Sequence, residues 1–357
     1  MTERKDILLL VPFEHGEGLL TDAATRQTLG GHLFGPISVA LSQLEEYVGF
    51  HLNLAKESER PVFGNQRLAL ARHRSLTAVT LATHLERAGL NWTVLDPGPE
   101  GLQWWRVRLG KYRNLRPRAI GLSTTYIMSS TSVRVLLAMI RDAFPGVPII
   151  LGGYYYATDT KDFLSMDADI FVIGEGDVRI PLIVDAIKHG KRMESIPGLY
   201  LRNGTGLRYT GPVEPLNLAQ LPPVNWVLSD RIDPPVDIEH DMLEVGLETQ
   251  RGCVFKCGFC TFRTLTSPNV MSTEVAVERI LNMGSIRYAT IMMTDATATF
   301  PHERWNEIMR VLIERGGAPH PIWAYARVSD LPEETVELMA RAGVKQVFIG
   351  QESGDQV

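Results

Sequence analysis

Short runs of consecutive apolar residues recur along this chain, and most are followed by a stretch of helical character. Ile7-Leu8-Leu9-Leu10-Val11, Trp92–Leu95, Ala119–Ser123, Pro148–Leu151 and Ile170–Ile173 are such runs. A strand that is apolar throughout, rather than at every second residue, is covered on both faces, which is the condition of a parallel sheet. Between the runs lie predicted helices at Ser75–Ala88 (closed by Gly89), Ser130–Phe144 and Ile180–His189. The alternation predicts an α/β fold with a doubly wound, Rossmann-like parallel sheet. Residues 13 to about 74 interrupt it. They carry turn glycines at Gly16, Gly18, Gly30 and Gly31 and one predicted helix, Ile37–Val48, and read as an insertion after the first strand. Leu199–Tyr209 reads as a hairpin turning on Asn203-Gly204, and Pro212–Pro235 as a linker.

A second alternating series follows. Strands are predicted at Leu243–Thr249, Ala289–Asp295, Ile322–Arg327 and Gln346–Gly350. Helices are predicted at Thr273–Met283, with Ser272 as N-cap, at His302–Gly316, and from Pro332 to Gly343. In the middle helix Trp305, Ile308, Met309 and Leu312 fall on one face. A chain of 357 residues is long enough for two domains. The expected division is 1–205 for the first sheet, 206–240 for hairpin and linker, and 241–357 for the second series.

All three cysteines lie in one loop, Arg251-Gly252-Cys253-Val254-Phe255-Lys256-Cys257-Gly258-Phe259-Cys260. An odd count at close spacing suits neither a disulfide staple nor a secreted scaffold. A zinc site would need a fourth ligand, and His240 and His302 are far along the chain. Three thiolates suit a [4Fe–4S] cluster whose fourth iron is open to a substrate or cofactor; zinc and unrelated cysteines are the alternatives. Arg251 and Lys256 either favour the thiolates or are solvated charges. The net charge of −5 gives no basic signature for nucleic acid. The five apolar residues before Pro12 are too few for a signal-peptide core, and no later run suits a bilayer span. A cytoplasmic protein is expected, with no membrane partner.

In doubly wound sheets, ligands bind beyond the carboxyl ends of the strands. Three of those ends carry small residues: Ser123-Thr124-Thr125, Gly152-Gly153 and Gly174-Glu175-Gly176. Glycines there either admit a bulky ligand to the backbone or make the tight turns the fold needs.

The cysteine spacing, with Phe259 before the last cysteine, resembles the signature of the radical S-adenosylmethionine (SAM) superfamily. The Gly-Gly and Gly-Glu-Gly strand ends resemble the cobalamin-binding domain found ahead of many radical SAM domains. The resemblance implies that residues 241–357 form a partial (β/α)6 barrel, truncated at the C-terminus after four strands. It implies a [4Fe–4S] cluster on Cys253, Cys257 and Cys260, with SAM on the open iron. By position Phe259 would contact the adenine, and Asp295, Arg327 and Glu352 would contact SAM; an Arg327–Glu352 ion pair without ligand is the alternative. Thr294-Asp295-Ala296 lacks the glycines and glutamate common at that point in the family. Cobalamin would lie on Ser123, Thr124, Gly152, Gly153, Gly174, Glu175 and Gly176, and Gly153→Leu would weaken its binding without unfolding the protein. The D-x-H-x-x-G motif that supplies a histidine below cobalt is absent. The nearest approach is Phe13-Glu14-His15-Gly16-Glu17-Gly18, with Phe13 where the Asp should be, so cobalt without a histidine below it is expected. The implied activity is methyl transfer from SAM, via methylcobalamin, to a carbon of a small-molecule or peptide substrate in natural-product biosynthesis. An electron donor such as flavodoxin or ferredoxin is the implied partner. Cyclisation, rearrangement, methylthiolation or a non-catalytic Fe–S module are the alternatives.

Overall fold

The computed structural model describes residues 4–12, 72–96, 102–127, 129–214, 216–241, 243–258, 260 and 269–350. The predicted helix at 37–48 and residues Phe13, His15, Phe259 and Glu352 lie outside the described residues. Strands β1 (Ile7–Leu10) and β2 (Arg72–Arg74) belong to different sheets. In the first sheet β1 pairs in parallel with β3 (Trp92–Leu95) and β4 (Ala119–Ser123). The parallel order continues through β5 (Ile149–Gly152) and β6 (Ile170–Val172). The hairpin strands β7 (Leu199–Asn203) and β8 (Gly206–Tyr209) then extend the same sheet antiparallel, giving the order β3-β1-β4-β5-β6-β7-β8.

The continuous apolar strands are buried on both faces, as their composition requires. Successive side chains alternate between the faces of a strand. Ile7 and Leu9 pack with α1 (Leu76–Arg87) and α6 (Arg179–His189). Leu8 and Leu10 pack with α2 (Leu102–Tyr112), α3 (Ser130–Ala143) and the short α4 (Tyr155–Thr158) and α5 (Thr160–Ser165). The sheet is therefore doubly wound.

Helix α1 joins the two halves of the molecule. Ser75 caps it, its Oγ accepting from Ala78 N at 3.0 Å. All six residues Ala78–Thr83 and Leu85 are buried, the mark of a helix covered on every side. One face meets the first sheet; the other meets β9 (Leu243–Leu247), so closely that a Cβ on Gly246 would come within 2.9 Å of Leu76 Cβ. The Pro-rich stretch is not a loose spacer. Trp226, Leu228, Ile232 and Val236 are buried in the core shared by both sheets. Asp233 bridges the β3 edge, its N donating to Val94 O and its O accepting from Asp96 N.

Beyond it, β10 (Gln250–Arg251) and β11 (Asn269–Val270) form an antiparallel ribbon at the neck of the cysteine loop. The remaining elements are α7 (Thr273–Asn282), β12 (Ala289–Met293), α8 (His302–Glu314), β13 (Ile322–Ala326), α9 (Glu333–Ala342) and β14 (Val344–Ile349). Ser272 Oγ accepts from Val275 N as the α7 N-cap, and Gly343 ends α9 at φ +111°. The predicted α8 face of Trp305, Ile308, Met309 and Leu312 is fully buried. Each such side chain contributes about 1.5–3 kcal/mol of transfer free energy. The second sheet is parallel throughout, in the order β14-β13-β12-β9-β2. Its edge strand β2 comes from the end of the expected insertion, so residues 72–74 serve the second sheet although they precede most of the first. No helix among the described residues is long and apolar enough to cross a membrane.

Candidate functional site

The carboxyl ends of the strands in the two sheets face a common cavity of about 650 Å³. Ser123, Thr125, Gly152, Gly153, Tyr154 and Tyr156 line it from the ends of β4 and β5. Gly174, Glu175, Gly176 and Asp177 line it from the turn after β6, and Thr77, Thr80 and Leu81 from α1. The opposite wall is Glu248, Gln250, Arg251 and Gly252 at the start of the cysteine loop, with Thr294 and Ala296 after β12. Of the seven residues expected around a first-domain ligand, six line the cavity. Thr124 does not: it is fully buried, its hydroxyl donating to Gly152 O at 3.0 Å and accepting from Tyr155 N at 3.2 Å. It frames the turn, and its neighbour Thr125 reaches the cavity instead.

The glycines do different jobs. Gly153 sits at φ +111°, and a Cβ there would lie 2.7 Å from both Thr124 N and Thr125 N. The fold itself demands this glycine, so the expectation that Gly153→Leu leaves folding intact is corrected. At Gly176 a Cβ would meet only Ile180 Cγ1 at 3.5 Å and Leu81 Cδ2 at 3.9 Å, ordinary contacts. Its missing side chain leaves room in the cavity rather than relieving strain.

Arg251 was read from sequence as a charge beside the thiolates. The structure gives it another role. Its Nη1 and Nη2 reach Asp177 Oδ2 and Oδ1 at 2.8 and 2.9 Å, in the bidentate geometry a guanidinium favours. Nε and Nη2 also donate to Glu248, at 2.7 and 2.5 Å, and Nη1 to Glu175 Oε1 at 3.3 Å. Although burial works against the charge, Glu248 and Asp177 outweigh it and hold Arg251 protonated. Burial likewise pushes Asp177 up, but its bonds to Arg251 prevail and hold it below the usual carboxylate range. Glu175, expected to meet a ligand, thus also shares this cation.

Asp295 is fully buried and its side chain bonds the backbone beside the cavity. Oδ1 accepts from Thr249 N at 2.7 Å and Gln250 N at 3.0 Å, and Oδ2 from Thr249 Oγ1 at 2.6 Å. These bonds fix the turn that leads from β9 into the cysteine loop. The Asp295 carboxylate thus holds the turn, and Thr294 and Ala296, on either side of it, line the cavity. Burial pushes the Asp295 carboxyl up to about 6, with the hydrogen bonds and Arg304 pulling it back.

The cysteine loop lies over the carboxyl ends of β12 and β13. Cys253 Sγ is 4.0 Å from Thr297 Oγ1. The Phe255 ring packs edge-on against Phe300, and the Arg327 guanidinium sits 3.9 Å above the Phe255 ring centroid. Arg327 is therefore brought to the loop. All three thiols are unpaired, Cys257 exposed and Cys253 and Cys260 half-buried. Among the described residues no three His, Cys, Asp or Glu side chains gather around one metal ion. A four-iron cube puts each thiolate on a separate iron, so its ligands need not converge on one point. Three free thiols in one loop, beside a cavity with glycine-made room, fit a cluster and a bulky ligand next to it.

A model of the B12 binding domain matches residues 70–184, and a model of the Radical SAM superfamily matches residues 247–357. The chain joins a B12 binding domain to a Radical SAM superfamily domain. The cavity is formed where these two domains meet. Among curated proteins, the chain is 25% identical over 289 residues to the hopanoid C-3 methylase of Methylococcus capsulatus, covering 77% of this chain and 52% of that protein. It is 28% identical over 217 residues to an uncharacterized methyltransferase of Pyrococcus horikoshii, covering 57% of this chain and 45% of that one. The chain thus spans about half the length of these relatives. Among solved structures it resembles the radical SAM methyltransferase TsrM of Kitasatospora setae, with cobalamin and a [4Fe–4S] cluster bound (TM-score 0.60, 18% identity, 77% of this chain and 55% of that one). It also resembles the cobalamin-dependent SAM radical enzyme OxsB (TM-score 0.57, 19% identity, 80% and 42%). At these identities the likeness is one of fold. It supports the expected architecture of a Rossmann-like sheet followed by strands of a radical SAM barrel.

Cavity residues that the sequence does not single out include Asp177, Tyr154, Tyr156, Glu248, Gln250 and Thr80. The run Tyr154-Tyr155-Tyr156, directly after Gly152-Gly153, was the available signal for the aromatic pair.

Proposed function

We propose that this protein is a cobalamin-dependent radical SAM methyltransferase acting on a carbon of a small molecule or peptide in natural-product biosynthesis. The observation that carries the reading is the single cavity walled on one side by the B12-domain strand ends and on the other by the stem of the cysteine loop. Methyl transfer through cobalt needs the corrin and SAM to face one space. Cys253, Cys257 and Cys260 would hold the [4Fe–4S] cluster, and Phe259, Arg327 and Glu352 would contact SAM. Ser123, Thr125, Gly152, Gly153, Gly174, Glu175 and Gly176 would hold cobalamin. When bound, these groups supply a cobalt that carries a methyl group and a cluster that delivers an electron to SAM. The chain's own residues orient the ligands: Asp295 fixes the entry to the cysteine loop, and Arg327 braces the loop through Phe255. A flavodoxin or ferredoxin would provide the electron, in a cytoplasmic setting. Tryptophan is the substrate bound in a TsrM structure; no residue described here selects an aromatic substrate for this chain. The test is incubation of the anaerobic, reconstituted full-length protein with SAM bearing a trideuterated methyl and a panel of candidate substrates. A trideuteromethylated product that requires added cobalamin supports the reading. A product formed equally well without cobalamin contradicts it.

A further inference from the structure

The ion-pair network around Arg251 has the geometry of a link between two sites. The Arg251 side chain is 20% exposed, and five donor contacts to three carboxylates engage its Nε and both terminal nitrogens. Two of those carboxylates, Glu175 and Asp177, belong to the glycine turn of the B12 binding domain, 76 and 74 residues earlier in the chain. The third, Glu248, stands on the segment between β9 and β10. Arg251 itself pairs through β10 with β11, at the neck of the cysteine loop. Arg179 holds the turn from the other side, Nη1 donating to Glu175 O and Nε to Pro197 O. The turn and the neck are thereby tied by one guanidinium. Without it, three partly buried carboxylates would face one another with their main cation gone, which favours separation of the turn from the loop.

We propose that Arg251 is a positioning residue that couples the cavity to the cysteine loop, so that a ligand resting on the Gly174–Gly176 turn stabilises the loop that holds the cluster. This rests on the proposed function, which puts cobalamin in that cavity. Coupling of this kind is reciprocal: whatever orders the turn orders the neck, and the reverse. The role belongs to the planar fork rather than to positive charge alone, since Asp177 is held by two parallel N–H bonds.

The test is the rate at which anaerobic, cluster-loaded protein loses iron to a chelator, with and without bound hydroxocobalamin. In wild type, bound cobalamin slows iron loss about fivefold. In Arg251→Met the two rates are equal, and Arg251→Lys restores only part of the protection. Thermal unfolding checks that the variants are folded; if Arg251→Met is not, Asp177→Asn takes its place, with a partial loss of protection expected because Glu175 still reaches the guanidinium. Protection that persists in a folded variant overturns the inference, because cobalamin would then merely shield the cluster. Wild type that holds both cofactors and loses iron at the same rate with and without cobalamin also overturns it. Wild type that retains no cobalamin overturns the proposed function and this inference with it.

Discussion

Arg251 and Asp177 meet through two parallel hydrogen bonds of 2.8 and 2.9 Å, and this pair ties the B12 binding domain to the stem of the cysteine loop. Asp177 is 8% exposed at its side chain, and Arg251 holds its carboxyl below the ordinary range. A lowered carboxyl contributes stability that is present above its unfolded pKa and lost as pH falls through the folded one. Asp177→Asn therefore destabilises the protein by about 3 kcal/mol at neutral pH, the low end for a buried pair broken on one side, since Glu248 and Glu175 still hold the guanidinium. The gap between wild type and variant begins to narrow as pH falls below about 4 and closes further down, as pH falls through the lowered value. Urea unfolding across pH checks both points.

Asp295 has the opposite sign. Its carboxyl is raised from 3.8 to about 6, so between those values the native state binds more protons than the unfolded one. Stability from this group falls as pH rises through that window. Asp295→Asn keeps an oxygen for Thr249 N and Gln250 N and removes this pH dependence. Asp295→Ala strands both buried amides and costs about 3 kcal/mol. Unfolding midpoints at pH 4.5 and 7, as two working conditions on either side of about 6, distinguish the variants.

The glycines separate fold from ligand. Gly153→Ala places a Cβ 2.7 Å from two backbone nitrogens at positive φ and destabilises the protein by about 2 kcal/mol, whatever it does to binding. Gly176→Leu has room for its Cβ at a position lining the cavity, so it is expected to leave the unfolding midpoint nearly unchanged and to weaken hydroxocobalamin binding about tenfold or more. Spectroscopic titration and thermal unfolding of the two variants test the division.

No histidine is among the described residues that line the cavity. Cobalamin is expected to bind with no histidine nitrogen on cobalt. The electron paramagnetic resonance spectrum of the Co(II) form should lack histidine superhyperfine splitting. Splitting that disappeared in His15→Ala would make His15 the ligand.

The parallel strands of the first sheet were legible because they are buried on both faces, which leaves a continuous apolar run, whereas β9 and β12 alternate buried and half-buried residues. Helix α8 was legible for the same local reason, four apolar residues at helical spacing. Strand β2 was not: Arg72-His73-Arg74 has no apolar pattern. Arg74 is buried because its guanidinium reaches Asp96, Ser229 and Pro234, the last two 155 and 160 residues away. Helix α2 carried a signal that went unused, Trp105 and Leu109 at i and i+4, both buried. In the site, strand-end glycines and the cysteine spacing are local features and were readable. The roles of Arg251, Asp177 and Asp295 are set by partners far along the chain, which sequence position alone does not name.

The most direct test is cofactor retention by the anaerobically reconstituted protein. After incubation with hydroxocobalamin, iron and sulfide, then gel filtration, the wild type should carry stoichiometric cobalamin together with iron and sulfide in the proportions of a [4Fe–4S] cluster. The Cys253→Ala/Cys257→Ala/Cys260→Ala variant should lose the iron and sulfide. Wild type that emerges without cobalamin, or a triple variant that keeps its full iron and sulfide, would contradict the account.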